Sequence, residues 1–86
     1  MHGKDCFFQG TDGDFHFINW GGDGPLVHFA HATGLCAGAY TPLADILRPQ
    51  LNILGLDDRG HGQTRAPANP ASLSNWDVFV DDLEQF

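Results

Sequence analysis

The first twenty residues contain two runs rich in aromatic side chains, a composition that is typical of β-strands. The runs cover Cys6–Gln9 and Phe15–Trp20, and Gly10–Gly13 separates them. Alternation places the two phenylalanines of the second run on one face and its histidine, isoleucine and tryptophan on the other. An Asp-Gly pair in the separating segment suits the positive φ of a tight turn. The pattern therefore predicts an antiparallel hairpin.

Two later runs are apolar on both faces, which is typical of strands in a parallel sheet covered by helices. The first is Leu26–Ala30, interrupted by His28, and the second is Leu51–Leu56, interrupted by Asn52. We interpret His28 as a core histidine whose ring nitrogens have hydrogen-bond partners. Two such runs predict neighbouring parallel strands.

A short helix is predicted between these two strands. Thr41 can cap its N-terminus, Pro42 suits the first helical position, and Pro49 ends it. An apolar face is predicted along this helix, formed by residues at helical spacing: Leu43, Ile46 and Leu47. Strand, helix and strand at this spacing predict a right-handed βαβ unit.

A second helix is predicted near the end of the chain. Ser74 can cap it, and Asp77 three residues later completes a weak capping box. Its apolar stripe consists of Trp76, Phe79, Val80, Leu83 and Phe86. The acidic residues between them predict a solvated face, because the spacing of a calcium-binding EF-hand is absent.

Length and charge narrow the class of protein. The 86 residues predict a single domain over residues 1–86 with a modest core. Four Lys and Arg against eleven Asp and Glu give a net charge of −7, which argues against a nucleic-acid or anionic-membrane partner. No apolar run is long enough to span a membrane, and the start lacks a signal-peptide pattern. We therefore expect a cytoplasmic protein.

Cysteine and metal chemistry are both disfavoured by the sequence. Cys6 and Cys36 do not form a disulfide framework, and no third group is placed to orient His31 as a base for a Cys36 nucleophile. A zinc site would need His28 and His31 together, but their odd spacing on a strand points them to opposite faces. We expect no metal and no other cofactor.

Each of the two later strands ends in a loop that contains glycine. The first loop is His31-Ala32-Thr33-Gly34-Leu35, and the second is Asp57-Asp58-Arg59-Gly60-His61-Gly62-Gln63-Thr64. In this order the two loops resemble the N-terminal part of the α/β-hydrolase superfamily, over nearly all of residues 5–86. The resemblance implies an α/β fold with an antiparallel strand pair, a parallel βαβ unit and a final helix. The fourth strand would lie between the second and the third, and the sheet would be incomplete as it stands.

The resemblance also implies roles for residues in these loops. An acyl-transfer intermediate carries an oxyanion that needs two preorganised N–H donors, one of them from the first loop. The resemblance places this donor at the backbone N–H of Leu35, with Cys36 as the alternative register. Gly34 would let the backbone approach the substrate. The residues expected to support the substrate loops are His31, Gly34, Cys36, Arg59, Gly60, His61 and Gly62.

The nucleophile of such an enzyme is missing from these residues. Ser72 and Ser74 are the only serines, and neither has the flanking glycines of a Gly-x-Ser-x-Gly elbow. We therefore expect the N-terminal fragment of a serine hydrolase, inactive alone, whose parent acts on small-molecule carboxylic esters, lactones or related acyl or carbon–carbon bonds. Leu35 and Cys36 stand where epoxide hydrolases and haloalkane dehalogenases usually have other residues, which disfavours both classes.

A second hypothesis is a short, non-catalytic binding protein. In the implied strand order, the strand at residues 26–30 is an apolar edge without a neighbour on one side. Such an edge can pair with a partner strand or with a second copy of the chain. Self-association through residues 26–30 is therefore expected in either case.

Overall fold

The computed structural model of the chain describes residues 3–69, 73 and 75–86, which form four strands, a 3-10 helix and two α-helices. The strands are β1 (Lys4–Gly10), β2 (Gly13–Gly21), β3 (Leu26–Ala30) and β4 (Asn52–Leu56). The 3-10 helix covers Ala37–Tyr40 and leads directly into α1 (Thr41–Leu47), and α2 covers Asp77–Gln85. None of the helices in these ranges is long and apolar enough to cross a membrane.

The predicted hairpin is confirmed. β1 and β2 pair in antiparallel register from Lys4 opposite Asn19 to Gly10 opposite Gly13. Both strands extend beyond the predicted runs, because backbone pairing continues through polar residues that the hydrophobic pattern does not mark. Gly13, with φ of 143°, closes the turn in a conformation that favours glycine.

The predicted strand order is also confirmed. The sheet has the order β1-β2-β4-β3, so that β4 lies antiparallel to β2 and parallel to β3. Helix α1 connects the two parallel strands, as the βαβ pattern indicates. The parallel pairing continues to Ala30 opposite Leu56, and the loops that follow both strands therefore begin side by side.

The alternation along β2 divides the core into two clusters, one on each face of the sheet. Ile18 and Trp20 pack with Ile53 and with the helical residues Ala37 and Ala44. The cluster on the other face contains Phe15, Leu56 and Ala66, with Phe8, Phe17 and Phe86 half-buried against it. Apolar side chains therefore hold the sheet from both sides, although each cluster is small.

Two predictions about the first α-helix and β3 need correction. Thr41 does not cap α1, because a 3-10 turn precedes the helix and the Thr41 hydroxyl instead accepts a hydrogen bond from the Trp20 indole at 3.1 Å. His28 is exposed rather than a core histidine. Its ring contacts that of Phe86, with 5.4 Å between the centroids, and α2 covers only part of this face of β3.

Helix α2 also differs from its prediction. The predicted cap, Ser74, lies outside the described residues, and the Asn75 side chain accepts the Asp77 N–H at 2.9 Å. Asp82 belongs to the face predicted to be solvated, yet it is buried. Three residues of the predicted apolar stripe are largely exposed: Trp76, Val80 and Leu83. The Phe86 ring therefore packs against the sheet, while Asp82 contacts Arg59 in the loop after β4.

Candidate active site at the ends of the parallel strands

The two glycine-containing loops converge at the carboxyl ends of β3 and β4. The first loop runs over residues 31–36 and the second over residues 57–64, and both follow the last paired residues of the parallel strands. In open α/β sheets, ligands bind outside the carboxyl ends of the strands. The structure thus brings the residues predicted for the site to the edge where a ligand would be expected.

Two histidines tie these loops together. His31 is buried, and its Nε2 accepts the Asp58 N–H at 3.0 Å while its Nδ1 lies 2.9 Å from the Ala32 carbonyl. In the same way, His61 Nε2 accepts the Gly34 N–H at 3.0 Å and its Nδ1 lies 3.0 Å from the Arg59 carbonyl. Each ring is therefore a neutral imidazole that donates from Nδ1 and accepts at Nε2. Neither ring has a nitrogen left to act as a base.

The backbone of the first loop makes a tight turn in which Ala32, Gly34 and Leu35 donate from their N–H groups. The Leu35 N–H donates to the Ala32 carbonyl at 3.0 Å, and the Ala32 N–H donates to the Tyr40 hydroxyl at 3.2 Å. Gly34 has φ of 87°, and a Cβ at this position would meet no atom within 4 Å. The turn is therefore open to solvent on its glycine side.

The hydrogen bond from Leu35 argues against this residue as the oxyanion donor, since its N–H already has an acceptor. Within the part of the chain that the structure describes, Thr33 takes part in no hydrogen bond, and its N–H has no acceptor. The N–H of Cys36, the alternative donor, also has no acceptor among the described residues, but Cys36 is half-buried at the start of the 3-10 helix, whereas Thr33 is exposed. The sequence could not show this difference, because it depends on which N–H closes the turn.

Asp57, the first residue of the second loop, is a buried carboxylate with several donors. Its Oδ1 accepts the Ala37 N–H at 2.7 Å, and its Oδ2 accepts the Gln63 N–H at 3.0 Å and lies 2.6 Å from His16 Nδ1. Burial opposes the charge, but the hydrogen bonds from Gln63, Ala37 and His16 outweigh it and hold the pKa of Asp57 below its usual value. The carboxylate is thus ionised and links both loops.

His16 was not predicted as a site residue. Its ring is 2% exposed and lies between the carboxylates of Asp57 and Asp5. The one sequence signal is its position, since strand alternation places a titratable side chain among the inward-facing apolar residues of β2.

The structure explains why the second loop has glycine at two positions and threonine at its end. Gly62 has φ of 51°, and a Cβ there would overlap the Asp57 carboxylate. Gly60 has φ of 74°, and its N–H donates to the Ala66 carbonyl at 2.8 Å. The Thr64 hydroxyl donates to the Asp57 carbonyl at 2.5 Å and accepts the His16 N–H at 3.0 Å. The loop is therefore wrapped around Asp57.

The Arg59 side chain joins the second loop to α2. Its guanidinium makes two hydrogen bonds of 2.8 Å to Asp82 and one of 3.0 Å to Asp12. The hydrogen bonds that Arg59 donates to Asp82 raise the pKa of Arg59 above its already high value, against the opposing effect of burial. Both carboxylates neutralise the cation, so Arg59 is a structural link and not a site for an anionic substrate.

The two disfavoured chemistries gain no support from the geometry. Among the described residues, no group of three or more His, Cys, Asp and Glu side chains could hold a metal ion. His31 uses both ring nitrogens on backbone groups, so it is not hydrogen-bonded to the Cys36 thiol.

Comparison with known proteins finds similarity in structure but not in sequence. No protein-family model and no curated protein matches the chain. E-2-(acetamidomethylene)succinate hydrolase is similar with a TM-score of 0.75 and 22% identity, over 96% of this chain and 30% of that one. An N-formylmaleamic acid deformylase from Pseudomonas putida is similar with a TM-score of 0.71 and 23% identity, over 93% of this chain and 31% of that one. An α/β-hydrolase-fold protein from Burkholderia ambifaria is similar with a TM-score of 0.59 and 20% identity, over 98% of this chain and 32% of that one.

Strand order and structural similarity together define the class of fold. The mixed four-stranded sheet with its helices is the N-terminal part of an α/β-hydrolase fold. The chain spans only 30% to 32% of the length of these three structures. The antiparallel pair, the parallel βαβ unit and the final helix expected from the loop motifs are all present.

Proposed function

We propose that these residues form the oxyanion side of a serine hydrolase of the α/β-hydrolase superfamily that acts on small-molecule carboxylic esters, lactones or related acyl or carbon–carbon bonds. The observation that carries the proposal is the exposed turn at residues 32–35, which His31 and His61 hold at the carboxyl end of the parallel strands. Two of the similar structures are named as a hydrolase and a deformylase of small organic acids, which supports a small substrate with an acyl group.

The proposed chemistry gives this chain one catalytic contact. The Thr33 N–H is the better oxyanion donor, since it is exposed and has no acceptor among the described residues. Gly34 would leave room for the substrate, while His31, Arg59, Gly60, His61 and Gly62 would hold the loops. The sequence contains no Gly-x-Ser-x-Gly segment, so the nucleophile must come from elsewhere in the enzyme. The 86 residues alone would then be inactive. The proposal includes a cytoplasmic location and a reaction without a cofactor.

The first test is to sequence the gene past the codon for Phe86 and to assay both products. We expect a strand and a Gly-x-Ser-x-Gly elbow in frame within roughly 10–20 residues. A fluorophosphonate probe should label the elbow serine of the full gene product and leave the 86-residue chain unlabelled. An elbow Ser-to-Ala variant is the control. Labelling of Ser72 or Ser74, or ester turnover by the 86 residues, would overturn the proposal.

A second test concerns the proposed donor and uses the full gene product. Thr33→Pro removes the N–H and should lower kcat by about 100-fold, as loss of one oxyanion donor does in other hydrolases. Thr33→Ala keeps the N–H and should stay within about threefold of wild type. Equal losses in both variants would show that the side chain matters and the N–H does not.

One observation favours the alternative of a non-catalytic binding protein. The outer edge of β3 has no neighbouring strand among the described residues, and Leu26 on this strand is 68% exposed. An apolar cavity of about 240 Å³ lies beside it, lined by residues of β3 and α2. A partner strand could pair with this edge. A stop codon directly after Phe86 would favour this alternative over the hydrolase.

A further inference from the structure

The buried His16 ring lies between two carboxylates that belong to different parts of the fold. Its Nδ1 is 2.6 Å from Asp57 Oδ2, and its Nε2 is 2.8 Å from Asp5 Oδ1. Carboxylate oxygens only accept hydrogen bonds, so the ring must donate from both nitrogens when both carboxylates are ionised. The doubly protonated imidazolium therefore satisfies both contacts. No other ionisable side chain contacts the ring among the described residues, and the Phe7 ring lies 5.1 Å from it.

The Asp57 carboxylate carries this connection into both loops of the candidate site. Its Oδ1 accepts the N–H of Ala37, which begins the 3-10 helix directly after the first loop. Its Oδ2 accepts the N–H of Gln63 within the second loop. One carboxylate thus holds the backbone directly after the first loop and the backbone within the second loop, and its orientation affects their relative position.

His16 contributes to that orientation. Its Nδ1–H is a third donor to the Asp57 carboxylate, at 2.6 Å, and a hydrogen bond between charged groups is short and strong. The backbone of His16 is anchored as well, since its N–H donates to Thr64 Oγ1 at 3.0 Å and its carbonyl accepts the Asp57 N–H at 2.9 Å. His16 is therefore held both at its ring nitrogens and through its backbone.

We infer that His16 is a positioning residue, which through Asp57 holds the first and second loops of the candidate active site in one relative arrangement. This inference rests on the proposed function only where it calls the two loops an active site. The mechanical connection from His16 to Ala37 and Gln63 is independent of any hydrolysis. No sequence motif contains it, because His16 lies on the antiparallel hairpin, 41 residues before Asp57.

Two substitutions of His16 distinguish the contact with Asp57 from the contact with Asp5. In His16→Asn the side-chain amide can take the place of Nδ1 and still donate to Asp57. In His16→Gln the amide can take the place of Nε2 and reaches Asp5 instead. Both variants replace the charged ring with a neutral amide, and they differ by one methylene group and in the carboxylate that the amide can reach. His28→Gln, on the exposed histidine of β3, is the control for loss of a histidine.

The readout is amide hydrogen exchange by NMR on the full gene product. We expect His16→Gln to speed exchange at Ala37 and Gln63 by about tenfold or more, as loss of a charged hydrogen bond implies. Amides of the β1–β2 ladder should change by less than about threefold. His16→Asn should keep Ala37 and Gln63 within about threefold of wild type, and His28→Gln should leave them unchanged.

Three outcomes would overturn the inference. The first is unchanged exchange at Ala37 and Gln63 in His16→Gln, and the second is equal acceleration at every amide, which would show only lost stability. The third comes from the wild type and needs no variant to fold: Ala37 and Gln63 share one carboxylate, so protection factors that differ by more than about tenfold would show that they open separately. An inactive gene product with the expected exchange pattern would reject the proposed function and leave the positioning role intact.

Discussion

Histidines make most of the polar connections around the two loops, and each is defined by what its ring nitrogens contact. His31 and His61 donate from Nδ1 and accept at Nε2, so each joins two backbone groups of different loops or turns. His16 instead faces two carboxylates. The sequence indicates that histidines lie in the loops, but the partner of each nitrogen depends on atoms distant along the chain.

Arg59 offers a residue-scale prediction for the second loop. Its planar guanidinium contacts both oxygens of the buried Asp82, and a lysine ammonium cannot reproduce this bidentate geometry. We expect Arg59→Lys to lower the free energy of unfolding by about 1–3 kcal/mol, measured by urea denaturation.

The matched control for this prediction is Arg65→Lys, because Arg65 is exposed and lies six residues away on the same loop segment. It should change the free energy of unfolding by less than about 0.5 kcal/mol. If both substitutions cost the same, the Asp82 contact contributes nothing that is specific to Arg59.

At the scale of elements, β3 and α2 form as predicted, but their apolar faces are only partly buried. β3 pairs with β4 in the predicted parallel orientation, yet Leu26, His28 and Ala30 on one of its faces are exposed. On α2, Asp82 is buried by its contact with Arg59, while Trp76 is exposed. Periodicity shows which residues share a face, but not whether another element covers that face.

The edge of β3 leads to a prediction about self-association, which stays untested. Leu26 is 68% exposed on the edge strand, and Ile46 is 73% exposed on α1. We expect Leu26→Lys to lower the average mass of the 86-residue chain in sedimentation velocity, since a charge on an edge strand opposes pairing. Ile46→Lys removes a similar apolar side chain and should leave the mass distribution unchanged.

The opposite result has a clear meaning as well. A monomeric wild-type chain at every concentration would contradict strand pairing at residues 26–30. An equal effect of Leu26→Lys and Ile46→Lys would show that association depends on general apolar exposure and not on the strand edge.

For the whole molecule, the chain carries a net charge of −7, and one of its acidic groups, Asp57, is buried in the ionised form. Because the pKa of Asp57 is lower in the folded chain than in the unfolded chain, folding favours its ionised form. This contribution is complete above about pH 4, the ordinary range of an aspartate, and is lost as the pH falls through the folded value.

We therefore expect the free energy of unfolding of the wild type to decrease with falling pH below about pH 4. Asp57→Asn should be less stable at neutral pH and should show a flatter decrease in the acid range. Urea denaturation at a series of pH values measures both slopes. Asp23→Asn, which removes an exposed carboxylate, controls for net charge. Parallel curves for wild type and Asp57→Asn would contradict the prediction.

The sequence alone determined the strands, the βαβ unit, the strand order and the identity of the two loops. Apolar periodicity and backbone conformation are local properties, and glycines such as Gly34 and Gly62 mark where the backbone needs a positive φ. The order of the loop motifs supplied the sheet topology through its resemblance to a known fold, and the structure confirms it.

Only the tertiary structure decided which groups inside the site are satisfied. The Leu35 N–H donates within a turn, the Thr33 N–H has no acceptor among the described residues, and His16 is hydrogen-bonded to Asp57, which lies 41 residues further along the chain. These facts depend on distances between atoms that no local pattern encodes. The same holds for the exposure of His28, because burial requires a covering element and not only an apolar strand.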